Sequence, residues 1–476
     1  MRLILTGVFS VVLTLIVVGV VYLENRPDLS VWHHADLDEE FTAGSDVSSF
    51  AEYLALEDRL FRQLDELVYD QIEPEEQTNI NRFNRGSAAD PERWSPNWNR
   101  SYEMPVEAPR AGVLLLHGMS DSPYSLRNMS ERLHESGAYV LGLRIPGHGT
   151  APSGLVEVTW QDMDAAVRIA MRHLEARSDG QPLYIVGYSN GAALAVNYTL
   201  ETLEDVAMPR INRLALISPE IGIGRVGALA VWQARLGHLL GLEKLAWNDI
   251  ALEYDPFKYG SFAVNAGDVV WRLTNEIQTR ITRLTERREI SGFPPTLAFS
   301  SVIDATVLAP KLIENLYNRL PAGGHELVLF DINRVAGIEP LMKWRPDQIL
   351  KAFREDTDRT YTFRLVTNEN EFSENVVSRT VLPGESGFTE QPIDLEWHED
   401  LYSLSHIALP FPPGDPLYGG EPSAPSPGIS LGNIVMKGER GALYVSPAQM
   451  LRIRWNPFYP FLEDTVVSFL GLEADR

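Results

Sequence analysis

The sequence predicts an α/β domain in which a mostly parallel sheet is flanked by helices. Beyond residue 110, short apolar runs alternate with segments of helical periodicity, a pattern typical of βα units whose strands are buried on both faces. One of these runs leads directly into a serine that lies between two glycines. We expect strands over residues 112–116, 139–143, 183–186, 214–217, 296–299 and 326–330.

Composition excludes several kinds of partner and site. The 476 residues include 41 basic and 65 acidic side chains, and the formal net charge is −24. An excess of acid this large argues against binding to nucleic acid and against electrostatic attraction to anionic lipid. The chain has no cysteine, which excludes disulfides, a thiolate nucleophile and cysteine metal ligands. No pattern indicates a metal or an organic cofactor.

The N-terminal residues predict a membrane anchor. Residues 3–23 carry no charge, and as a helix they would measure roughly 31 Å, about the thickness of a bilayer's hydrocarbon core. The run exceeds the ~7–15 apolar residues of a signal peptide, and no Ala-x-Ala-like cleavage site follows it. We therefore expect an uncleaved, single-pass helix over residues 1–25.

Charge at the two ends of this helix predicts its orientation. Arg2 precedes the span, whereas Asp28, Asp36 and Asp38 follow it, so the positive-inside rule places the N-terminus in the cytoplasm. The domain beyond residue 110 would then lie on the non-cytoplasmic side, in the periplasm or outside the cell.

The remaining chain divides into four predicted parts. Residues 26–108 form an N-terminal segment, with an amphipathic helix over 48–72 and a connector over 73–108; residues 109–219 form the first part of the core. Residues 220–290 are too long for an ordinary crossover, and their helix-like stretches at 226–245 and 267–288 predict a helical cap. Residues 291–476 complete the core, with an appended hairpin over 360–367 and 376–381, a proline-rich loop over 409–428 and a closing helix over 457–472.

The strongest local signal is LYIVGYSNGAALAV, residues 183–196, in which a strand, Gly187-Tyr188-Ser189-Asn190-Gly191 and a helix follow each other. Glycines two residues before and after a serine let the backbone bend sharply and hold the hydroxyl above the sheet. The helix N-terminus directs backbone N–H groups at a developing oxyanion. Ser189 is therefore the candidate nucleophile, and the N–H of Asn190 is a candidate oxyanion donor.

Two further glycine-containing turns follow strands. In GVLLLHGMSDSPYS, residues 112–125, the strand runs into His117, Gly118 and Met119, and the N–H of Met119 is the second candidate oxyanion donor. The other turn, LRIPGHGTAP, covers residues 143–152 and contains His148. We interpret both histidines as braces of their loops rather than as proton carriers.

At these residues the chain resembles the α/β-hydrolase superfamily, in particular the branch that contains monoacylglycerol lipases, lysophospholipases and bacterial carboxylesterases. The His-Gly loop, the Pro-Gly-His-Gly turn and the Gly-Tyr-Ser-Asn-Gly elbow come in that family's order. The likeness covers residues 110–220 well and residues 290–331 moderately. It implies the α/β-hydrolase fold and a catalytic triad in the order serine, acid, histidine.

The resemblance implies an acid after the strand that follows the cap, and Asp304 lies there. A simple turn aspartate is the alternative interpretation, and Asp331, at the end of the next strand, is the rival acid. His406 is the favoured base because it lies between a polar and an apolar residue in LSHIALPF, whereas His398 lies in the charged run WHED. The separation of 102 residues between Asp304 and His406 exceeds the family norm and must contain the appended hairpin.

These residues predict a membrane-anchored serine hydrolase that cleaves carboxylic esters of small or lipid substrates through an acyl-enzyme. An amidase, peptidase or thioesterase with the same triad is the first alternative, because the elbow does not identify the leaving group. A membrane-tethered binding protein of the same fold, without activity, is the second.

Overall fold

The computed structural model describes residues 14, 17, 19, 21–222, 242–343, 347, 350–351, 356, 358–434 and 447–473. Within them, ten strands form one sheet in the order β1-β3-β2-β4-β5-β8-β9-β10-β11-β12, and β6 and β7 form a separate pair. The strands are β1 Tyr102–Met104, β2 Ala111–Leu116, β3 Ala138–Leu143, β4 Leu183–Tyr188, β5 Arg213–Ile217, β6 Trp247–Asp249, β7 Phe262–Ala263, β8 Thr296–Ser301, β9 Glu326–Phe330, β10 Thr362–Asn368, β11 Asn375–Val381 and β12 Thr389–Glu396.

The centre of the sheet is parallel, as the sequence predicts. Strands β3, β2, β4, β5, β8, β9 and β10 pair in parallel, while β1, β11 and β12 join antiparallel at the two edges. Alternate side chains of one strand enter two different apolar clusters: Leu114 and Leu116 lie on one face, and Val113 and Leu115 on the other. Burial on both faces explains why these strands read as continuous apolar runs.

Helices cover both faces of the sheet. The described helices are α1 Val31–His34, α2 Phe50–Leu67, α3 Arg127–Glu135, α4 Gly154–Glu157, α5 Trp160–Arg177, α6 Asn190–Glu204, α7 Val264–Glu286, α8 Ala309–Asn315, α9 Pro447–Met450 and α10 Tyr459–Leu470. Helices α2, α5, α6 and α7 bury apolar side chains in the cluster that contains Leu114, whereas α3 and α10 bury theirs in the cluster that contains Val113. The closing helix predicted over 457–472 is thus α10.

The structure departs from the predicted cap over 220–290. The first helix-like stretch, 226–245, lies mainly outside the described residues. The second, 267–288, corresponds to α7, whose Ile277, Ile281 and Leu284 are fully buried in the same cluster as α6. This part of the predicted cap is therefore a layer of the core, because α7 has an apolar stripe that packs against its neighbours on the sheet.

Two strands of the large sheet were absent from the prediction, as were β6 and β7 of the separate pair. The three-residue strand β1 lies in the predicted connector, and strand β12 extends the predicted hairpin into a three-stranded edge. Neither has a run of buried apolar residues, so periodicity does not reveal them.

The predicted membrane helix over residues 3–23 falls mainly outside the described residues. Among the residues that the structure describes, no helix is long and apolar enough to cross a bilayer.

The N-terminal segment is an integral part of the body. Helix α2 begins at a capping box formed by Ser49 and Glu52, and it buries Phe50 and Tyr53 in the main core. In the predicted connector, Trp94 and Trp98 are buried in a separate aromatic cluster with Tyr124. Residues 26–108 therefore pack against the loops at the carboxyl ends of the strands, and the predicted connector over 73–108 is part of the packed domain.

Candidate active site

Ser189 occupies a strained turn between strand β4 and helix α6. Its φ of 53° and ψ of −117° lie in a region that non-glycine residues rarely adopt, at a cost of about 1–3 kcal/mol. A Cβ atom at Gly187 would lie 2.6 Å from the Cα of Ala192, and one at Gly191 would lie 2.2 Å from the carbonyl oxygen of Leu116. Both positions therefore require glycine, which is the physical reason for the Gly-x-Ser-x-Gly pattern.

Two backbone N–H groups border the turn. Met119 follows strand β2, and Asn190 is the first residue of α6; both residues are buried. Within the described part of the chain, neither N–H donates a hydrogen bond to the protein. Both are thus available to a negatively charged oxygen at Ser189, as an oxyanion hole requires.

His117 and His148 brace their loops, as the sequence analysis interprets them. The N–H of Ile145 donates to His117 Nε2 at 3.1 Å, so the neutral ring carries its proton on Nδ1 and donates to the carbonyl oxygen of Gly118 at 2.9 Å. Burial lowers the pKa of His117 well below its usual value and that of His148 to about 4. Both rings are therefore neutral near pH 7.

Asp304 lies just beyond the end of strand β8 and faces His406. Its Oδ1 accepts hydrogen bonds from the backbone N–H groups of Thr306 and Val307 at 2.8 and 2.9 Å, which fix the carboxylate. Its Oδ2 lies 3.6 Å from Nδ1 of His406, and neither atom has another hydrogen-bond partner in the described structure. The geometry is that of an acid and an imidazole that a small movement would join by a hydrogen bond.

His406 reaches the carboxyl end of the sheet on a long loop. It begins the short 3₁₀ turn His406–Ala408, and the hydroxyl of Ser405 donates to the carbonyl oxygen of Ile453 at 2.6 Å. The ring is buried and lies 5.6 Å, between centroids, from the ring of Tyr188, the residue before the candidate nucleophile. The structure thus brings Asp304 and His406 together beside the turn that carries Ser189.

The rival acid and base have other surroundings. Both carboxylate oxygens of Asp331 accept hydrogen bonds from Arg334 at 2.9 Å, and one also accepts from the hydroxyl of Thr367 at 2.8 Å. His398 is exposed, and its ring packs edge-on against Trp455. Neither residue faces Ser189.

Parts of the chain are similar to known proteins. Residues 107–332 match the family described as serine aminopeptidase, S33. A stretch of 116 residues is 31% identical to the thermostable monoacylglycerol lipase of Bacillus sp. (strain H-257). These two matches make the chain similar to α/β hydrolases of the monoacylglycerol lipase and esterase branch. That stretch covers 24% of this chain and 45% of the relative, so the match spans less than half of the curated protein.

Solved structures also resemble this chain. The monoacylglycerol lipase of Paleococcus ferrophilus is 18% identical, with a TM-score of 0.37 over 49% of this chain and 89% of that one. A soluble variant of the monoglyceride lipase of Saccharomyces cerevisiae, in complex with a substrate analogue, is 17% identical, with a TM-score of 0.38 over 48% and 82%.

A cavity of about 900 Å³ adjoins the site of the hydrolase. Its wall includes Tyr188, Ser120 and Ile407, which are the sequence neighbours of Ser189, Met119 and His406. The remaining wall comes from the N-terminal segment, residues 248–262 and the C-terminal loops. Its apolar side chains include Trp32, Ile80, Ile250, Leu252, Phe262 and Phe411.

The sequence analysis missed one carboxyl group of the hydrolase site. Glu220 follows strand β5, and its N–H donates to the carbonyl oxygen of Ser189 at 3.2 Å. Burial raises the pKa of Glu220 to about 7, and the charges of His406 and Asp304 act on it in opposite directions. An acidic residue three positions beyond a buried strand, at the edge where the nucleophile lies, is the signal that could have identified it.

Proposed function

We propose that this hydrolase cleaves carboxylic esters by means of a Ser189, His406 and Asp304 triad. One observation carries the proposal: the ring of Tyr188, the residue before a serine in a strained strand-to-helix turn, lies 5.6 Å from the ring of a histidine, and Nδ1 of this histidine faces a carboxylate fixed by two backbone N–H groups. Nothing in that arrangement requires a cofactor.

The chemistry follows from the roles of these groups. His406 takes the hydroxyl proton of Ser189 through Nε2 while the serine oxygen attacks the ester carbonyl. The N–H groups of Met119 and Asn190 stabilise the tetrahedral oxyanion. His406 then protonates the leaving alcohol. In the second half of the reaction, His406 takes a proton from the attacking water and returns it to the oxygen of Ser189 as the acyl group is released. Asp304 holds the imidazole in the correct tautomer and stabilises its charged form.

The cavity beside the site favours a substrate with an apolar chain. A volume of about 900 Å³ accommodates a lipid-sized molecule, and its wall combines aromatic and aliphatic side chains, which suit an acyl chain, with many polar and charged ones, among them Asp121, Asp255 and Arg454. The Bacillus relative is named a monoacylglycerol lipase. We therefore propose an esterase or lipase that accepts acyl esters, with lysophospholipids as a related substrate class.

The N-terminal residues add a proposal on location. Arg26 follows the predicted membrane span, and its guanidinium donates to the carbonyl oxygens of Lys244 and Trp247 at 2.6 and 2.7 Å. Arg26 and Asp28 also line the cavity. A membrane helix over residues 3–23 would thus hold the mouth of the cavity close to the bilayer from which a lipid ester would come, with the hydrolase on the non-cytoplasmic side.

The anchor is tested by fractionation. The full-length chain should sediment with membranes and resist carbonate extraction. A mature N-terminus beyond Leu23, found by sequencing the purified protein, would contradict the anchor and indicate a removed signal peptide.

The reaction is tested with a panel of p-nitrophenyl esters of increasing chain length and the matching p-nitroanilides. We expect the full-length hydrolase to cleave the esters, and a variant carrying Asp304→Asn to lose about 10⁴-fold in kcat because the imidazole tautomer is no longer fixed. Asp331→Asn is the matched control and should retain most activity per folded molecule.

The same panel distinguishes the alternatives. The family description, serine aminopeptidase, favours an amidase or peptidase as the second candidate. Faster cleavage of the anilides than of the esters would support that candidate, and no cleavage of either class would support a binding protein.

A further inference from the structure

Glu220 lies between the candidate nucleophile and the candidate acid. Strand β5 pairs with β4 on one side and with β8 on the other, so the residues after these three strands lie in the order Ser189, Glu220, Asp304 along one edge of the sheet. Neighbouring parallel strands lie about 4.8 Å apart. The topology alone therefore places this carboxyl group in the middle of the site.

The backbone of Glu220 is fixed on both sides. Its N–H donates to the carbonyl oxygen of Ser189 at 3.2 Å, and the N–H of Ser189 donates to the carbonyl oxygen of Ile217 at 3.0 Å. The next residue, Ile221, is fully buried, and its carbonyl oxygen accepts from Nδ2 of Asn315 in helix α8 at 3.3 Å. The backbone of Glu220 is thus held against the nucleophile turn.

The side chain has no structural task that would explain it. Among the described residues, its partly buried carboxyl group makes no hydrogen bond and no ion pair, although buried polar groups normally do. The charged and titratable groups that act on it or respond to it are His406, Asp304 and Tyr188. A carboxyl group without a structural partner therefore lies within electrostatic reach of the imidazole of the site.

We propose that Glu220 is a positioning residue that acts on His406 as a second carboxylate and preserves part of the residual activity when Asp304 is lost. The inference rests on the proposed function. In its ionised form Glu220 stabilises the imidazolium that forms when Ser189 loses its proton. No proton passes to Glu220 in this step: it leaves the serine hydroxyl, stays on His406 and later goes to the leaving alcohol.

Activity should therefore depend on pH in a way that reveals Glu220. Burial raises the pKa of Glu220 to about 7, so its carboxyl group changes charge near neutral pH. An anion beside His406 favours the imidazolium, which cannot act as a base. Removal of that anion should move the acidic limb of kcat/KM to lower pH by about 0.5–1 unit.

The experiment measures pH profiles of kcat/KM for the full-length hydrolase, Glu220→Gln and Glu220→Asp. We expect the shift in Glu220→Gln and its partial reversal in Glu220→Asp, which keeps a carboxylate. Glu463→Gln is the matched control: burial raises the pKa of Glu463 to about 7 as well, but it lies on helix α10, where its partner is Arg132. Its profile should coincide with that of the wild type.

A second measurement combines Glu220→Gln with Asp304→Asn. Glu220→Gln should lower kcat about three- to tenfold relative to the wild type. In the Asp304→Asn background, the same substitution should lower kcat by a factor at least ten times larger. Equal effects in both backgrounds, or an unshifted pH profile in a Glu220→Gln protein with a wild-type melting temperature, would overturn the inference. An inactive wild-type protein would instead contradict the proposed function, so the two failures are distinguishable.

Discussion

The ion pair between Arg144 and Glu40 offers a sharp test of how the N-terminal segment is attached. Arg144 follows strand β3, and its fully buried guanidinium donates to both carboxylate oxygens of Glu40 at 2.9 and 3.0 Å. The N–H of Gly147 donates to the same carboxylate at 2.9 Å. We expect Glu40→Gln to destabilise the protein, because it removes a charge from a buried pair and leaves one oxygen to accept four donors, the fourth being the N–H of Phe41.

The magnitude follows from burial. Breaking a buried ion pair by removing one partner costs about 3–5 kcal/mol. Arg144 keeps a second carboxylate, since its Nε donates to Glu57 at 3.0 Å, so its charge does not become uncompensated. We therefore expect the low end of that range, a loss of about 3 kcal/mol in the free energy of unfolding.

The neighbouring glutamate provides the control. Glu39 forms an ion pair with Arg59 at 2.8 Å, but both side chains are about two-fifths exposed, at 40% and 45%. Exposed pairs contribute about 0–1 kcal/mol, so Glu39→Gln should leave the stability nearly unchanged. The measurement is the urea dependence of unfolding of the full-length chain at neutral pH. Equal stabilities of the two variants would refute the reasoning that burial of the Arg144 pair holds the N-terminal segment.

Two further predictions concern the site and its turn. Ser189→Ala and His406→Ala should each lower ester hydrolysis by roughly 10⁴-fold, and the double variant should be little worse, because triad members act as a unit. The control variant, His398→Ala, should retain most activity. Near-additive losses in the double variant would argue against a shared triad. Gly191→Ala should prevent normal folding, because its Cβ would lie 2.2 Å from a carbonyl oxygen of strand β2. Gly267→Ala in helix α7, where a Cβ meets nothing within 4 Å, should melt at or above the wild-type temperature, and equal melting temperatures of both variants would contradict the steric account.

The parallel core could be predicted because its signals are local. A strand buried on both faces is a short apolar run, and the sharp turn between strand and helix needs a glycine on each side of Ser189. Both features can therefore be recognised within about ten residues of sequence. The identity of helix α7 could not be predicted in this way. An apolar stripe shows that a helix packs against something, but only the fold shows that its partner is helix α6 rather than a cap.

The site residues also differ in whether a local signal in the sequence could identify them. Asp304 could be proposed because it follows a buried strand, and its rival Asp331 fits that rule equally well. Only the structure shows that Asp331 is bound by Arg334 and that Asp304 faces His406. Glu220 is missed because its place between two other strands depends on the order of strands in the sheet, which the linear sequence does not contain.

The central claim is that Ser189 is an activated nucleophile, and covalent labelling with a fluorophosphonate tests it most directly. The probe reacts with a serine whose hydroxyl is activated by a neighbouring base, so peptide mass spectrometry should locate the adduct on Ser189 of the wild type. Labelling should disappear in Ser189→Ala and fall strongly in His406→Ala. An adduct on another serine, or labelling of the His406→Ala variant at the wild-type rate, would contradict the account.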